Sequence, residues 1–209
     1  CGSIDSTKYN AIIGNKIYQI IKKLKLEVTK MTLPILETKR LTLRKIKLED
    51  AEAMYQYASK DDVTKHVLWD SHKSIETTKQ FVQMMIDQYE EGNCAWAITL
   101  KETKEFIGTI DFVMYNEAEK IAEIGYALSD RHWGKGYVSE ATKALLDFGF
   151  NELQLVRIQA RCFADNIGSE RVMQKVGMTY EGTMRKAKFA KGKYHDIKMY
   201  AILREDVGL

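Results

Sequence analysis

Arg131-His132-Trp133-Gly134-Lys135-Gly136-Tyr137 stands between an alternating, strand-like run (Ile121 to Leu128) and an amphipathic, helix-like run (Val138 to Phe150). A glycine-bearing turn that feeds a helix can hold phosphate. The first backbone N–H groups of a helix have no internal partner, and the aligned peptide dipoles leave partial positive charge there. Arg131 and Lys135 add side-chain cations to the same turn. The stretch reads as a strand-turn-helix unit of an α/β chain with a pyrophosphate-bearing ligand at the turn. A dinucleotide fingerprint is excluded, because Ser139 stands where its third glycine would be. A P-loop is excluded as well, because Ser129 holds the place of the glycine five residues before Gly134-Lys135. The spacing that remains is Arg-x-x-Gly-x-Gly.

About forty residues on, a second strand run (Leu155 to Phe163) enters Asp165-Asn166-Ile167-Gly168-Ser169-Glu170. A helical run then ends at Lys175-Val176-Gly177-Met178, followed by Tyr180-Glu181-Gly182. With the opening Leu36-Glu37-Thr38-Lys39-Arg40-Leu41-Thr42-Leu43-Arg44, the run Ala122-Glu123-Ile124-Gly125-Tyr126 and the closing Gly192-Lys193-Tyr194-His195-Asp196, this ordered set resembles the GNAT superfamily of N-acetyltransferases. Within it the order is similar to the RimJ/RimL branch, the N-terminal acetyltransferases of ribosomal proteins. The resemblance covers roughly Met31 to Asp206 and implies acetyl-CoA as the phosphate-bearing cosubstrate. It also implies a single mixed, mostly antiparallel sheet of about seven strands flanked by helices, with splayed central strands.

The pattern along the chain agrees with an α/β arrangement around one sheet. Leu36 to Ile46 alternates as a strand. Leu48 to Ser59 and Ser74 to Glu91 carry helical periodicity, the second with Ser74 as N-cap. Strands are expected at Cys94 to Leu100, Phe106 to Met114 and Ile121 to Leu128. A helix follows from Val138, then the strand Leu155 to Phe163, a helix from Ile167 to Val176, and strands around Tyr180 to Phe189 and Tyr194 to Leu203. Lys191-Gly192 between the last two marks a tight hairpin. Residues 31–209 form the expected domain. Residues 1–30 form an extension in which Ile13, Ile17, Ile20, Ile21 and Leu24 recur at helical spacing among lysines, as in a short basic amphipathic helix or residual cloning sequence.

Composition bounds the function classes. A chain of 209 residues with 45% hydrophobic content suits one domain with a real core. The net charge of +3 fits an anionic ligand but not the clustered basic face of a nucleic-acid binder. Cys1, Cys94 and Cys162 are odd in number and lack paired spacing, which points away from a disulfide framework or a zinc site and toward a reducing cytoplasm. His66, His72 and His132 show no metal-ligand spacing. No run reaches the length of a membrane span.

Acetyl transfer from a thioester to an amine needs a grip on the CoA phosphates, a polarised carbonyl, a neutral amine and a proton for the thiolate. The resemblance assigns the grip to Ser129 and the turn Arg131, His132, Trp133, Gly134, Lys135, Gly136 and Tyr137, and the carbonyl to a backbone N–H near Leu128. It further implies that Asn166 bonds the pantetheine and that Ser169 approaches the sulfur. From the residues alone, Asn166 and Ser169 equally suit a capped helix. Glu123 is the candidate base, with a solvated strand residue or a salt-bridge partner as the equal alternatives. Trp69, Trp96, Tyr126 and Tyr194 are candidate acceptor-site residues, Trp96 being equally a core residue. His195-Asp196 is not a catalytic pair, since neighbours on a strand point to opposite faces. Relatives of the RimL type can place a glutamate where Lys188 stands, so a base role there does not carry over.

The expected partners are acetyl-CoA and an amine acceptor, with neither nucleic acid nor membrane, and a homodimer by analogy. The leading acceptor is a protein α-amine. The alternatives are a small amine (a polyamine, amino compound or aminoglycoside), for which Asp61, Asp62, Asp70 and Glu76 would supply carboxylates, and a CoA-binding module without turnover.

Overall fold

The computed structural model describes residues 33–92 and 95–209. The extension 1–30 therefore lies outside the described residues, as does Cys94. Among the described residues, eight strands form one sheet: β1 (Leu36–Glu37), β2 (Leu41–Lys45), β3 (Ala95–Leu100), β4 (Phe106–Asn116), β5 (Ile121–Leu128), β6 (Arg157–Phe163), β7 (Thr179–Ala190) and β8 (Lys193–Leu203). Their spatial order is β1-β2-β3-β4-β5-β6-β8-β7, and every neighbouring pair is antiparallel except β5 with β6. The helices are α1 (Ala51–Ala58), α2 (Asp61–Thr64), α3 (Ile75–Asp87), α4 (Tyr137–Asn151) and α5 (Ile167–Lys175). None of these helices is long and apolar enough to cross a membrane.

The eighth strand comes from the first expected one, which folds as a hairpin rather than a single run. Thr38 closes its turn: its Oγ1 accepts from Leu41 N at 2.9 Å and its own N–H donates to Leu41 O at 2.9 Å, so Leu36 pairs with Leu43. Alternation of apolar residues cannot show a turn that a side chain builds. The short α2 was not anticipated, since four residues carry no period. Other elements fall within a few residues of expectation. Ser74 caps α3 by accepting from Thr77 N, and Lys191 and Gly192 both adopt left-handed φ (51° and 75°) in a two-residue hairpin turn.

The two sheet faces carry different layers. Ala95, Ala97 and Ala127 pack with Met54, Tyr57, Val82 and Met85 of α1 and α3. The opposite face carries Trp96, Phe112, Ile124, Ile158 and Ala160, buried beneath α4 and α5. Gly149 lets α4 approach closely, since a Cβ there would lie 2.6 Å from Ile158 Cδ1. Trp96 is wholly buried, sits edge-on to Phe112 and Phe148, and donates its indole N–H to Pro34 O at 2.8 Å. It is therefore a core residue, and the acceptor-wall reading of Trp96 does not hold.

Candidate active site

The parallel pair β5–β6 is the place where the sheet opens. Register runs from Ile121↔Arg157 to Ile124↔Ala160 and then stops. Beyond it Gly125–Leu128 stays on β4, while Arg161–Phe163 stays on β8. Antiparallel N–H groups alternate in direction, and Ser129 N donates to Ile107 O at 2.8 Å. The N–H groups of Leu128 and Tyr126 therefore point away from β4, into the parting. The Leu128 carbonyl on that side accepts the Trp133 indole N–H at 2.9 Å. The Leu128 N–H is thus offered to a carbonyl oxygen that enters the gap.

The turn 130–136 leads from this strand to α4. Gly134 and Gly136 take φ of 73° and 79°, which L side chains adopt at a cost, and Gly136 is the N-cap of α4 with no side chain capping the helix. The free N–H groups of the first turn and the helix dipole make this end an anion site. The cations beside it are not those the sequence suggested. Arg131 turns to Gln56 Oε1 on α1 (3.0 Å), and Lys60 holds Asp130 at 2.7 Å. His132 is buried, with Nε2 3.2 Å from Glu105 Oε1, so it contributes backbone rather than imidazole to the turn. Lys135 is exposed and its carbonyl accepts from Arg40 Nη1 at 3.0 Å.

Arg40 and Lys175 take the flanking places. A Cβ built on Gly136 would lie 3.6 Å from Lys175 Nζ and 3.7 Å from Arg40 Nη2. Arg40 also lies over the Tyr137 ring at 4.4 Å and bonds Glu140 through Nε and its backbone N–H. Burial disfavours the ionised Glu140, but hydrogen bonds from Thr38 and Arg40 outweigh it and hold the carboxyl below its usual range. Arg40 and Lys175 stand within quoted motifs, but the sequence assigned neither a place at the turn; only folding brings both to Gly136.

On the α4–α5 face of the parting, Tyr126 and Ser169 meet, hydroxyl to hydroxyl at 2.7 Å. Asn166 caps α5 by accepting from Ser169 N at 3.1 Å, so its cap role is real and its amide NH2 is free to donate. Burial raises the Tyr126 hydroxyl far above its ordinary value and pushes the Cys162 thiol, on the same face, up to about 11. The groups on this face hold their protons at neutral pH.

The opposite face carries carboxylates. Glu123 is buried, bound by Arg161 Nε at 2.7 Å and by Gln159 Nε2 at 3.0 Å. Its salt-bridge alternative is thus realised. Asp111 was not singled out from the sequence, although an aspartate inside the apolar run Phe106–Asn116 is an anomaly that could have flagged it. It pairs with Gly125, where a Cβ would lie 3.0 Å from Asp111 Oδ1, and burial pushes its carboxyl up to about 7. Trp69 is half-buried against His72 and Phe81, and its carbonyl and Asp70 receive Lys191 Nζ from the β7–β8 tip. Tyr194 is exposed on that hairpin, against Phe189. His195 stacks on Phe163 at 4.1 Å and bonds Ala190 O, which makes it structural.

A profile of the acetyltransferase (GNAT) domain matches residues 40–179. The chain is 39% identical over 172 residues to an uncharacterized N-acetyltransferase, p20, of Bacillus licheniformis, covering 82% of this chain and 97% of that protein. It is 30% identical to the ribosomal-protein-serine acetyltransferase of Escherichia coli, covering 82% of this chain and 97% of that protein. The fold is also similar to the solved structure of RimL, a ribosomal L7/L12 alpha-N-protein acetyltransferase in complex with coenzyme A. The TM-score is 0.73 at 27% identity, over 83% of this chain and 99% of that one.

Proposed function

The chain belongs to the GNAT family of N-acetyltransferases, which use acetyl-CoA, and on that premise we propose that its acceptor is the N-terminal α-amine of a protein, as in the RimJ/RimL branch. The parting of β5 from β6 beside an uncapped, cation-flanked helix N-terminus carries the catalytic reading. These features fit the cosubstrate, whose thioester supplies an activated acetyl group. The first-turn N–H groups of α4, with Arg40 and Lys175, hold the phosphates. Asn166 donates to the pantetheine arm, and the Leu128 N–H binds the acetyl oxygen and stabilises the charge that develops on it. Ser169, hydrogen-bonded to Tyr126, supplies the proton for the departing thiolate. Amine and cosubstrate bind together, and the amine attacks directly.

The acceptor class rests on the relatives named for ribosomal proteins and on an argument from acidity. An α-amine has a pKa near ~8 and a lysine amine near ~10.4. The first is substantially neutral at working pH and needs little help. Exposed Asp61, Asp62 and Asp70, each already partnered by Ser71, Lys65 or Lys191, do not assemble a polyamine cage. The test is thiol release from acetyl-CoA against N-terminal peptides of ribosomal proteins, free polyamines and aminoglycosides. Turnover on the peptides, with acetylated α-amine in the product, is expected. Turnover confined to small amines overturns the acceptor assignment, and silence across the panel despite CoA binding overturns the enzymatic role.

A further inference from the structure

Resting on the reading of the parting as the acetyl-transfer site, we infer that Asp111, rather than Glu123, takes the proton from the attacking amine. Three placements carry this. Asp111 lies on the α1–α3 face, opposite the one that holds Tyr126 and Ser169, because it pairs with Ala95 and Gly125 while Ile110 pairs with Tyr126. Its carboxylate sits over Gly125, the first β5 residue beyond the end of the β5–β6 pairing, so it stands at the mouth of the opening. The missing side chain of Gly125 is what makes that position available, since a Cβ would meet both Asp111 Oδ1 and Val113 Cγ1 (2.5 Å).

Glu123, two residues earlier on the same face, is spent in a different way. Both of its oxygens are occupied, by Arg161 and Gln159. Arg161 and Gln159 thus compete with an incoming amine for that carboxylate. Among the described residues, no side chain or backbone group hydrogen-bonds the Asp111 carboxylate. The charged and titratable groups on this face include Tyr57 and Tyr89 from the helical layer, the Arg44–Asp50 pair and the Glu123–Arg161 pair. The Tyr89 hydroxyl is committed to Ala95 O and Ile46 N. A burial-raised carboxyl near neutrality matches what a base needs at working pH.

The step balances with the two faces in complementary roles. The nitrogen lone pair forms the N–C bond to the acetyl carbon, and the nitrogen proton passes to Asp111. The C–S bond breaks with its electron pair going to sulfur, which takes the Ser169 hydroxyl proton. Solvent exchange restores both groups.

The experiment takes the amine that the wild type turns over fastest in the panel above and compares wild type, Asp111→Asn, Asp111→Glu and Glu123→Gln. Asp111→Asn is expected to lower kcat/KM about 10²-fold or more and to remove the acidic limb of the kcat/KM–pH profile, while coenzyme A affinity stays within about twofold of wild type. Glu123→Gln should keep the limb, and Asp111→Glu should restore part of the rate. Independently of turnover, 13C-carboxyl NMR of the wild type should show one aspartate titrating near neutrality, absent from Asp111→Asn. A wild type that turns over no amine overturns the functional reading itself. Turnover with the limb intact in Asp111→Asn, or Asp111 titrating in the ordinary carboxylate range, overturns this assignment alone, and the titration decides even if the variants fold poorly.

Discussion

The two faces of the sheet meet at the same parting of β5 and β6, yet they are built from opposite chemistry. The face under α4 and α5 gathers groups that hold protons: Tyr126, Ser169 and Cys162, the first and last with acidity lowered by burial. The face under α1 and α3 gathers carboxylates, Glu123 neutralised by Arg161 and Asp111 left without such a partner among the described residues. The difference teaches that transfer of an acetyl group needs a proton removed at one atom and supplied at another. A sheet opened between two parallel strands separates these events by its own thickness. Residues of one strand reach both, since Gly125 and Tyr126 are adjacent and point to opposite faces.

The largest effect tests the acceptor face through stability. Burial raises the Asp111 carboxyl to about 7, above the ordinary ~3.9 of an unfolded aspartate. Between those values the folded chain keeps a proton that the unfolded chain has lost, so stability falls as pH rises through the window and the penalty is full above about 7. Asp111→Asn is therefore expected to stabilise the protein at pH 8 by on the order of 2–4 kcal/mol and to change little at pH 4. Urea denaturation at both pH values is the measurement. Equal shifts at the two pH values would break the contrast between the faces, because Asp111 would then be an ordinary solvated carboxylate.

The donor face comes next. Ser169→Ala is expected to lower kcat about 10²-fold with coenzyme A affinity nearly unchanged, since the Asn166 cap bonds the backbone of residue 169 and survives. Tyr126→Phe should cost less, about tenfold, because Ser169 keeps its own hydroxyl and loses only the partner at 2.7 Å that orients it. If Tyr126→Phe were the more damaging, the tyrosine would be the immediate donor and the order of the pair on this face would be reversed.

How much of this was legible beforehand divides along the same line. The elements that build the donor face are local in sequence. The Gly134-x-Gly136 turn feeds α4, and the Asn166-to-Ser169 spacing sits at the head of α5, so motif and period exposed them together. The acceptor face is assembled from β4, β5 and β6, and its character depends on which carboxylate finds a guanidinium. Glu123 and Arg161 are 38 positions apart in the chain and Asp111 and Gly125 are 14, so the sequence reading chose Glu123 without seeing its guanidinium, and the one local hint for Asp111 was its place inside an apolar strand run. The same holds for Arg40, whose role beside Gly136 follows from the Thr38 turn that hid inside an apparently continuous strand.

The smallest effect asks from which face the phosphates are held. Lys175 ends α5 on the donor side and stands by Gly136 without any ion pair among the described residues, whereas Arg40 is already drawn to Glu140. Removing Lys175 leaves that latch intact, which makes it the cleaner probe. An exposed cation near a helix N-terminus contributes through screened charge, so Lys175→Ala should weaken coenzyme A about threefold at low salt, equivalent to roughly 0.6 kcal/mol. The loss should shrink as ionic strength rises, with kcat at saturating cosubstrate unchanged. It should vanish for an acetylated pantetheine fragment that carries no phosphate, because the N–H of Leu128 and the amide of Asn166 would still hold that arm. A loss that persists with the fragment would place Lys175 at the thioester end and merge the phosphate grip with the proton-donating face, two tasks that the geometry around Gly136 and Ser169 keeps on separate helix ends.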